Sequence, residues 1–213
     1  MILQSKINDS RWYWIKVPRT GTHSYKKFFF GDDGPHLHIE YKNLLLSGEV
    51  LPGVSVVRNP RSRFISSLKY IIKSICFNPT CNNHYGLKLP SESVDDLHNF
   101  FFTHFDKDCV IKSDNTVETL FNVASPAFVG TFFTLQTSYV YHPKVKIFHY
   151  EKLHEFNSWI ETELGYDTSK LEHINSTDDS ILSHIDFSHP KITEIAQHLY
   201  YTDYKLLGYE MTG

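Results

Sequence analysis

Residues 12–30 read WYWIKVPRTGTHSYKKFFF, and this stretch decides the fold class. Trp12 to Val17 is a short apolar run interrupted only by Lys16, which predicts a strand. Pro18-Arg19-Thr20-Gly21-Thr22 follows as a tight, hydroxyl-bearing loop. His23 to Phe30 then predicts a helix with Tyr25, Phe28 and Phe29 on its inner side. Strand, loop and helix in that order make an anion site. The first N–H groups of a helix have no partner within it and point at whatever lies ahead of them. Gly21 allows close approach, Thr20, Thr22, His23 and Ser24 can add side-chain donors, and Arg19 brings a forked cation. The loop is not that of a nucleoside triphosphatase, because no Gly-Lys-[Ser/Thr] closes it. It is not a dinucleotide fingerprint, because Gly-x-Gly-x-x-Gly is absent.

The same grammar recurs downstream. Val54 to Val57 is apolar throughout, as a strand in the middle of a parallel sheet should be. Arg58-Asn59-Pro60 ends it, and Pro60 suits the start of a helix. Phe64, Ile65, Leu68, Ile71 and Ile72 then recur at helical spacing. Two strands that each feed a loop and a helix predict an α/β domain with a mainly parallel central sheet. Arg58 stands at a strand end, where open α/β sheets bind ligands. Arg58 and Ser66 are expected to clamp a second phosphate, so the ligand should carry phosphates at both ends. Arginines at a helix start oppose the helix dipole unless an anion sits among them.

The remaining elements are coarser. Lys144 to His149 predicts a third strand, and Glu151 to Leu164 a helix ended by Gly165. Asp95 to Phe105 and Pro126 to Tyr141 predict helices. Pro190 to Tyr200 predicts the last one, with Ile192, Ile195, Ala196 and Leu199 inward. A loop insertion is expected around 76–90 and a polar loop at 175–180, and the tail from Asp203 to Tyr209 should dock on the body.

At 213 residues, with 41% hydrophobic and 21% charged content, the chain is expected to form a single domain, 1–213. Its 21 Lys and Arg against 24 Asp and Glu give a formal charge of -3, which argues against nucleic acid as a partner. No secretory pattern and no run of about 20 apolar residues occurs. A soluble intracellular or cytoplasmic protein without a membrane partner is expected. Cys76, Cys81 and Cys109 are an odd count with no Cys-x-x-Cys, which suits a reducing compartment. Cys76, Cys81 and His84 lack a fourth ligand, so no metal is expected. The adjacent pairs Asp95-Asp96 and Asp178-Asp179 read as surface charge.

With these residues in place, the chain resembles the sulfotransferases that use 3′-phosphoadenosine 5′-phosphosulfate (PAPS). Val17-Pro18-Arg19-Thr20-Gly21-Thr22 is similar to their 5′-phosphosulfate loop, and Val57-Arg58-Asn59-Pro60-x-x-Arg63-x-x-x-Ser66/Ser67 to their 3′-phosphate signature. The likeness is to the carbohydrate branch of heparan and chondroitin 2-O-type enzymes. It continues through Gln136-Thr137-Ser138-Tyr139, Phe148 to Leu153, Ile174 to Thr177 and Tyr200 to Tyr209. It implies a three-layer, P-loop-like sulfotransferase fold with the donor across the C-terminal edge of the sheet. Arg19 to Ser24 would hold the phosphosulfate, Arg58 and Ser66 the 3′-phosphate, and the 175–180 loop would partly cover the donor. PAPS would be the donor and adenosine 3′,5′-bisphosphate (PAP) the product, with no metal required.

Sulfuryl transfer needs a base for the acceptor hydroxyl, and a neutral His suits that at neutral pH. His36-Leu37-His38 follows the first loop–helix unit and a Gly-Pro turn. It is similar to the His-Gly-His of the 2-O-type enzymes, with Leu37 in place of glycine. The resemblance makes His38 the base and His36 a supporting residue of the acceptor site, with His23 as the runner-up base. Tyr41, His84 and Tyr85 are candidates for the acceptor pocket. Arg19 stands where the family usually has Lys. It keeps the positive charge but does not give up a proton. The acceptor is expected to be a glycan or a small hydroxylated metabolite. The alternatives are a donor-binding protein without transfer activity and a nucleotide-dependent phosphotransferase. Oligomeric state is not encoded in any of these patterns.

Overall fold

A computed structural model of the chain describes residues 1–31, 40–46, 48, 51–76, 132–172, 187–188 and 190–211. In chain order the elements are β1 (Ile2–Gln4), β2 (Arg11–Ile15), α1 (Thr22–Phe30), α2 (Tyr41–Leu46), β3 (Gly53–Val57) and α3 (Pro60–Cys76). Then come α4 (Gln136–Val140), β4 (Val145–His149), α5 (Leu153–Trp159), α6 (Pro190–Leu199) and α7 (Tyr201–Leu206). A 3-10 turn, Tyr150–Lys152, leads into α5, and a π-helical turn, Ile160–Leu164, leads out of it. The architecture is mixed α/β. Its four-stranded sheet has the order β1-β2-β3-β4. β1 runs antiparallel to β2, with Leu3 opposite Trp12. β2 and β3 are parallel, with Trp14 opposite Val54, and so are β3 and β4, with Val56 opposite Phe148.

The chain divides into two compact units. The first comprises Met1–Asn59, Leu135–Thr177 and Leu206–Gly208. It holds the whole sheet with α1, α2, α4 and α5. Every residue of β3 is buried, as expected for a central parallel strand. Its one polar member, Ser55, donates its hydroxyl to the Ile15 carbonyl at 2.6 Å. Gly53 opens the strand because no side chain fits there. A Cβ would lie 2.9 Å from both Ile15 Cδ1 and Val145 Cγ2. Leu3, Trp14, Tyr25, Val54, Val56, Phe148, Phe156 and Trp159 belong to the core of this unit. Phe156 and Trp159 stack at 5.9 Å, and the edge of Trp12 meets Trp159 at 5.1 Å. Each such side chain contributes about 1.5–3 kcal/mol by leaving water. Tyr25 donates its hydroxyl to Asn157 Oδ1 at 2.6 Å, tying α1 to α5.

The second unit comprises Pro60–Thr134, Asp178–Lys205 and Tyr209–Gly213. Within it Phe64 and Leu68 of α3 and Ile192, Ile195 and Ala196 of α6 are buried. Arg63 is only 1% exposed, and its guanidinium lies 5.9 Å from the Tyr200 ring centroid. Arg61 Nε donates to Thr193 Oγ1 at 2.8 Å, and Ser67 Oγ to the Phe132 carbonyl at 3.2 Å. Burial raises the pKa of the Tyr204 hydroxyl, partly offset by the neighbouring Arg61.

Several expectations are corrected. The helix from Pro126 to Tyr141 is not continuous over its described part. Leu135 is extended at φ -52°, ψ 135°, and α4 starts afresh at Gln136. The segment 151–164 is composite, a 3-10 turn, an α-helix and a π turn, although Gly165 ends it at φ 70° as predicted. Leu199 is half-buried, and Tyr200 after it is only 1% exposed. The tail is helical over Tyr201–Leu206, with Asp203 and Tyr204 buried. β1 was not expected at all. The 77–90 part of the insertion, the 95–105 helix and the 175–180 loop lie outside the described residues. No described helix is long and apolar enough to cross a membrane.

Candidate functional site

The site is built where β2, β3 and β4 end, within the first unit. Lys16, Val17 and Pro18 continue β2 as buried residues. The chain then turns at Arg19, which has φ 67° and is the only non-glycine residue with positive φ among the described residues. An L-residue in that region costs roughly 1–2 kcal/mol, and such strain concentrates at functional loops. Thr20 closes the turn. It is fully buried, and its hydroxyl donates to the Val17 carbonyl at 2.9 Å. The Thr20 side chain therefore braces the loop. Gly21, at φ 76°, is the N-cap of α1 and has no side chain with which to cap it. The first turn of α1 carries no acidic residue, so its positive end is not neutralised locally. Thr22 is half-buried, His23 exposed and Ser24 buried.

Two lysines lie beneath this turn. Lys16 is 3% exposed and Lys26, on α1, is 5% exposed. Burial, and then the charge of Lys26, lower the Lys16 pKa to about 8.

Arg58 follows β3 directly, and its main chain is gripped from the side. Its N–H donates to Gln136 Oε1 at 2.9 Å, and its carbonyl accepts from Gln136 Nε2 at 2.8 Å. Gln136 is fully buried. One amide thus serves both faces of one peptide position, much as a neighbouring strand would. The next N–H, of Asn59, donates to Glu151 Oε1 at 2.8 Å. The Arg58 guanidinium lies over the Tyr150 ring, 4.6 Å from its centroid. Its Nη1 makes a long contact of 3.5 Å with the Arg19 carbonyl. Arg58 Nε is buried with no hydrogen-bond partner among the described residues. A buried donor left in that state costs about 1–3 kcal/mol and calls for an acceptor.

The structure thus brings Arg19, Thr20, Gly21, Thr22 and Arg58 to one edge of the sheet. Ser66 stands on α3 in the second unit, half-buried. His36 and His38 lie outside the described residues, as do His84 and Tyr85. Tyr41 is 1% exposed, and its hydroxyl donates to the Leu51 carbonyl at 2.7 Å. Sequence reasoning missed the work of two residues. Gln136 and Tyr150 were read only as marks of resemblance, and nothing local to them announces a contact with residue 58. Among the described residues no group of three His, Cys, Asp or Glu side chains could hold a metal ion. What the arrangement can do chemically is receive an oxyanion between a glycine-headed helix start and a forked cation.

Comparison with known proteins gives no relative: no family model, no curated protein and no solved structure matches the chain.

Proposed function

We propose that the chain is a PAPS-dependent sulfotransferase acting on a hydroxyl of a glycan or a small metabolite. The observation that carries this reading is Arg58. Its main chain is clamped by Gln136, and its buried Nε has no acceptor among the described residues, beside a helix start headed by Gly21. A donor with a 5′-phosphosulfate and a 3′-phosphate supplies anions to both features. The finer fold, a three-layer P-loop-like sulfotransferase domain, belongs to the same proposal.

In this reading the loop Arg19 to Ser24 receives the 5′-phosphosulfate through the backbone N–H groups of α1. Arg58 receives the 3′-phosphate, and Ser66 joins it on sequence grounds alone. The acceptor oxygen attacks sulfur, a new O–S bond forms, and the bond from sulfur to the bridging oxygen breaks. The electron pair leaves with the 5′-phosphate of PAP. His38 takes the hydroxyl proton, with His36 supporting the acceptor. Arg19 steadies the charge that grows on the leaving phosphate without donating a proton, because a guanidinium stays protonated. Placement and fixed charge carry most of such a transfer.

The test is calorimetric titration with PAP, without magnesium, on the intact protein and on Arg58→Ala. Micromolar binding that weakens at least tenfold in the variant, about 1.4 kcal/mol, is expected. No binding by the folded intact protein would sink the donor assignment. A donor-binding protein without transfer would bind PAP normally yet sulfate nothing across a broad acceptor panel. A nucleotide-dependent phosphotransferase would require magnesium and a triphosphate.

A further inference from the structure

We infer that Tyr150 is a positioning residue that holds the Arg58 guanidinium and the Gly21 turn in one fixed arrangement. The inference rests on the donor reading above and deepens it. Tyr150 begins the 3-10 turn that leaves β4, so the end of β4 delivers its ring to the ends of β2 and β3. One part of the ring meets the loop. A Cβ at position 21 would lie 3.0 Å from Tyr150 Cε2 and 3.6 Å from Cδ2. Glycine at 21 therefore answers two demands, a positive φ and a ring against its Cα. The Arg58 guanidinium lies 4.6 Å from the ring centroid, inside the range of cation–π attraction. Tyr150 also reaches the Tyr25 hydroxyl electrostatically, adding to the burial that raises the pKa of that group. A ring lodged against the loop cannot turn without disturbing Gly21, so the plane it offers Arg58 is fixed.

The reason to hold a cation this way is chemical. A carboxylate partner would fix Arg58 equally well, but it would neutralise the charge and compete with an incoming phosphate. An aromatic face orients a guanidinium and leaves its N–H fork able to donate. Arg58 is handled accordingly, with its main chain gripped by an amide, its side chain laid on a ring and Nε left for a ligand. It is the ring that acts here, so a phenylalanine should serve in its place.

The experiment is a double-mutant cycle. PAP is titrated into the intact protein, Tyr150→Leu, Arg58→Ala and the double variant, with Tyr150→Phe as the conservative control. In parallel, the Arg58 Nε–H resonance, identified by its loss in Arg58→Ala, is followed by NMR without ligand. The expected result is a weakening of at least fivefold in Tyr150→Leu, no further loss when it is added to Arg58→Ala, and near-intact affinity in Tyr150→Phe. The Arg58 resonance should shift in Tyr150→Leu as the ring current is lost. Equal losses in both backgrounds, or a Phe variant as weak as Leu, would overturn the positioning role. If the intact protein binds no PAP, the donor reading fails and the resonance alone decides: unmoved by Tyr150→Leu, it overturns the bracing, and shifted, it upholds it.

Discussion

Arg58 and Arg63 stand five residues apart in the stretch RNPRSRF, residues 58–64, and the molecule sets them in different surroundings. Arg63 belongs to the interior of the second unit. It is 1% exposed, at the head of α3, with the Tyr200 ring 5.9 Å away. Arg61 is turned to scaffold duty too, holding Thr193 at 2.8 Å. In the first unit, Arg58 Nε is a buried donor with no hydrogen-bond partner among the described residues, and Arg63 Nη2 is in the same state; what differs is the ring and backbone around each. By composition the three arginines form one basic patch. By placement, Arg61 and Arg63 lie within the second unit, one bonded to Thr193 and one buried, whereas Arg58 lies at the sheet edge over Tyr150. The difference teaches that a run of arginines measures binding capacity poorly. What matters is where the fold puts each guanidinium.

Paired substitutions test that contrast. Arg63→Ala should lower stability by about 3 kcal/mol, read by urea unfolding, because it empties a packed and polar interior position. Arg58→Ala should change stability by less than about 1 kcal/mol while it loses PAP. If both proteins unfold alike, the contrast collapses.

Gln136→Leu comes next. It leaves a half-buried N–H and carbonyl of Arg58 without these partners, which should cost about 1–2 kcal/mol and weaken PAP binding in the same protein. A loss of stability with unchanged affinity would show that the clamp serves the fold alone.

Lys16 sharpens the comparison from the pH axis. Its folded pKa is depressed to about 8, by burial first and by Lys26 second, below its ordinary value of 10.5. Between those two values the unfolded chain holds more protons than the folded one, so stability rises as pH climbs through that window. Below pH 8 the amine is charged in both states and the penalty of burying it is fully present. Lys16→Met should flatten the rise and stabilise the protein near pH 7, on the order of 1 kcal/mol. A rise of equal slope in the variant would exclude Lys16 as its source.

A small effect on stability is expected at Arg19. Arg19→Gly removes the strain of φ 67° but adds backbone freedom to the unfolded chain. The net change should be stabilising by less than about 1 kcal/mol, with sulfuryl transfer to any accepted hydroxyl lost. Marked destabilisation would mean that the guanidinium holds the loop together.

The strand–loop–helix at 12–30 and the strand end at Arg58 were legible because each is local. Hydrophobic runs, a proline and a glycine within a few residues specify them. β1 was not legible, since a strand of three residues, Ile2–Gln4, has no periodicity to read. The break at Leu135 was hidden because a run of apolar and aromatic residues reads as helix, whereas the backbone there turns extended before Gln136 meets Arg58. The site divides the same way. Arg19, Gly21 and Arg58 could be named from their own neighbourhood. Gln136 contacts a residue 78 positions away, and only the pairing of β3 with β4 brings Tyr150 to Arg58. Thr20 adds a local detail that no sequence pattern announces: its hydroxyl proton closes the turn on Val17.

The Gln136 clamp has a consequence for how such a site can change over generations. Both of its bonds go to the main chain of residue 58 and neither to the side chain. The frame at the strand end is therefore indifferent to what projects from it, in the manner of a socket that accepts different fittings. Replacing residue 58 alone could exchange the charge or reach offered to a ligand while the socket stays intact. A small library at position 58, built on an unchanged Gln136, would be an economical route to new anion preferences on this scaffold.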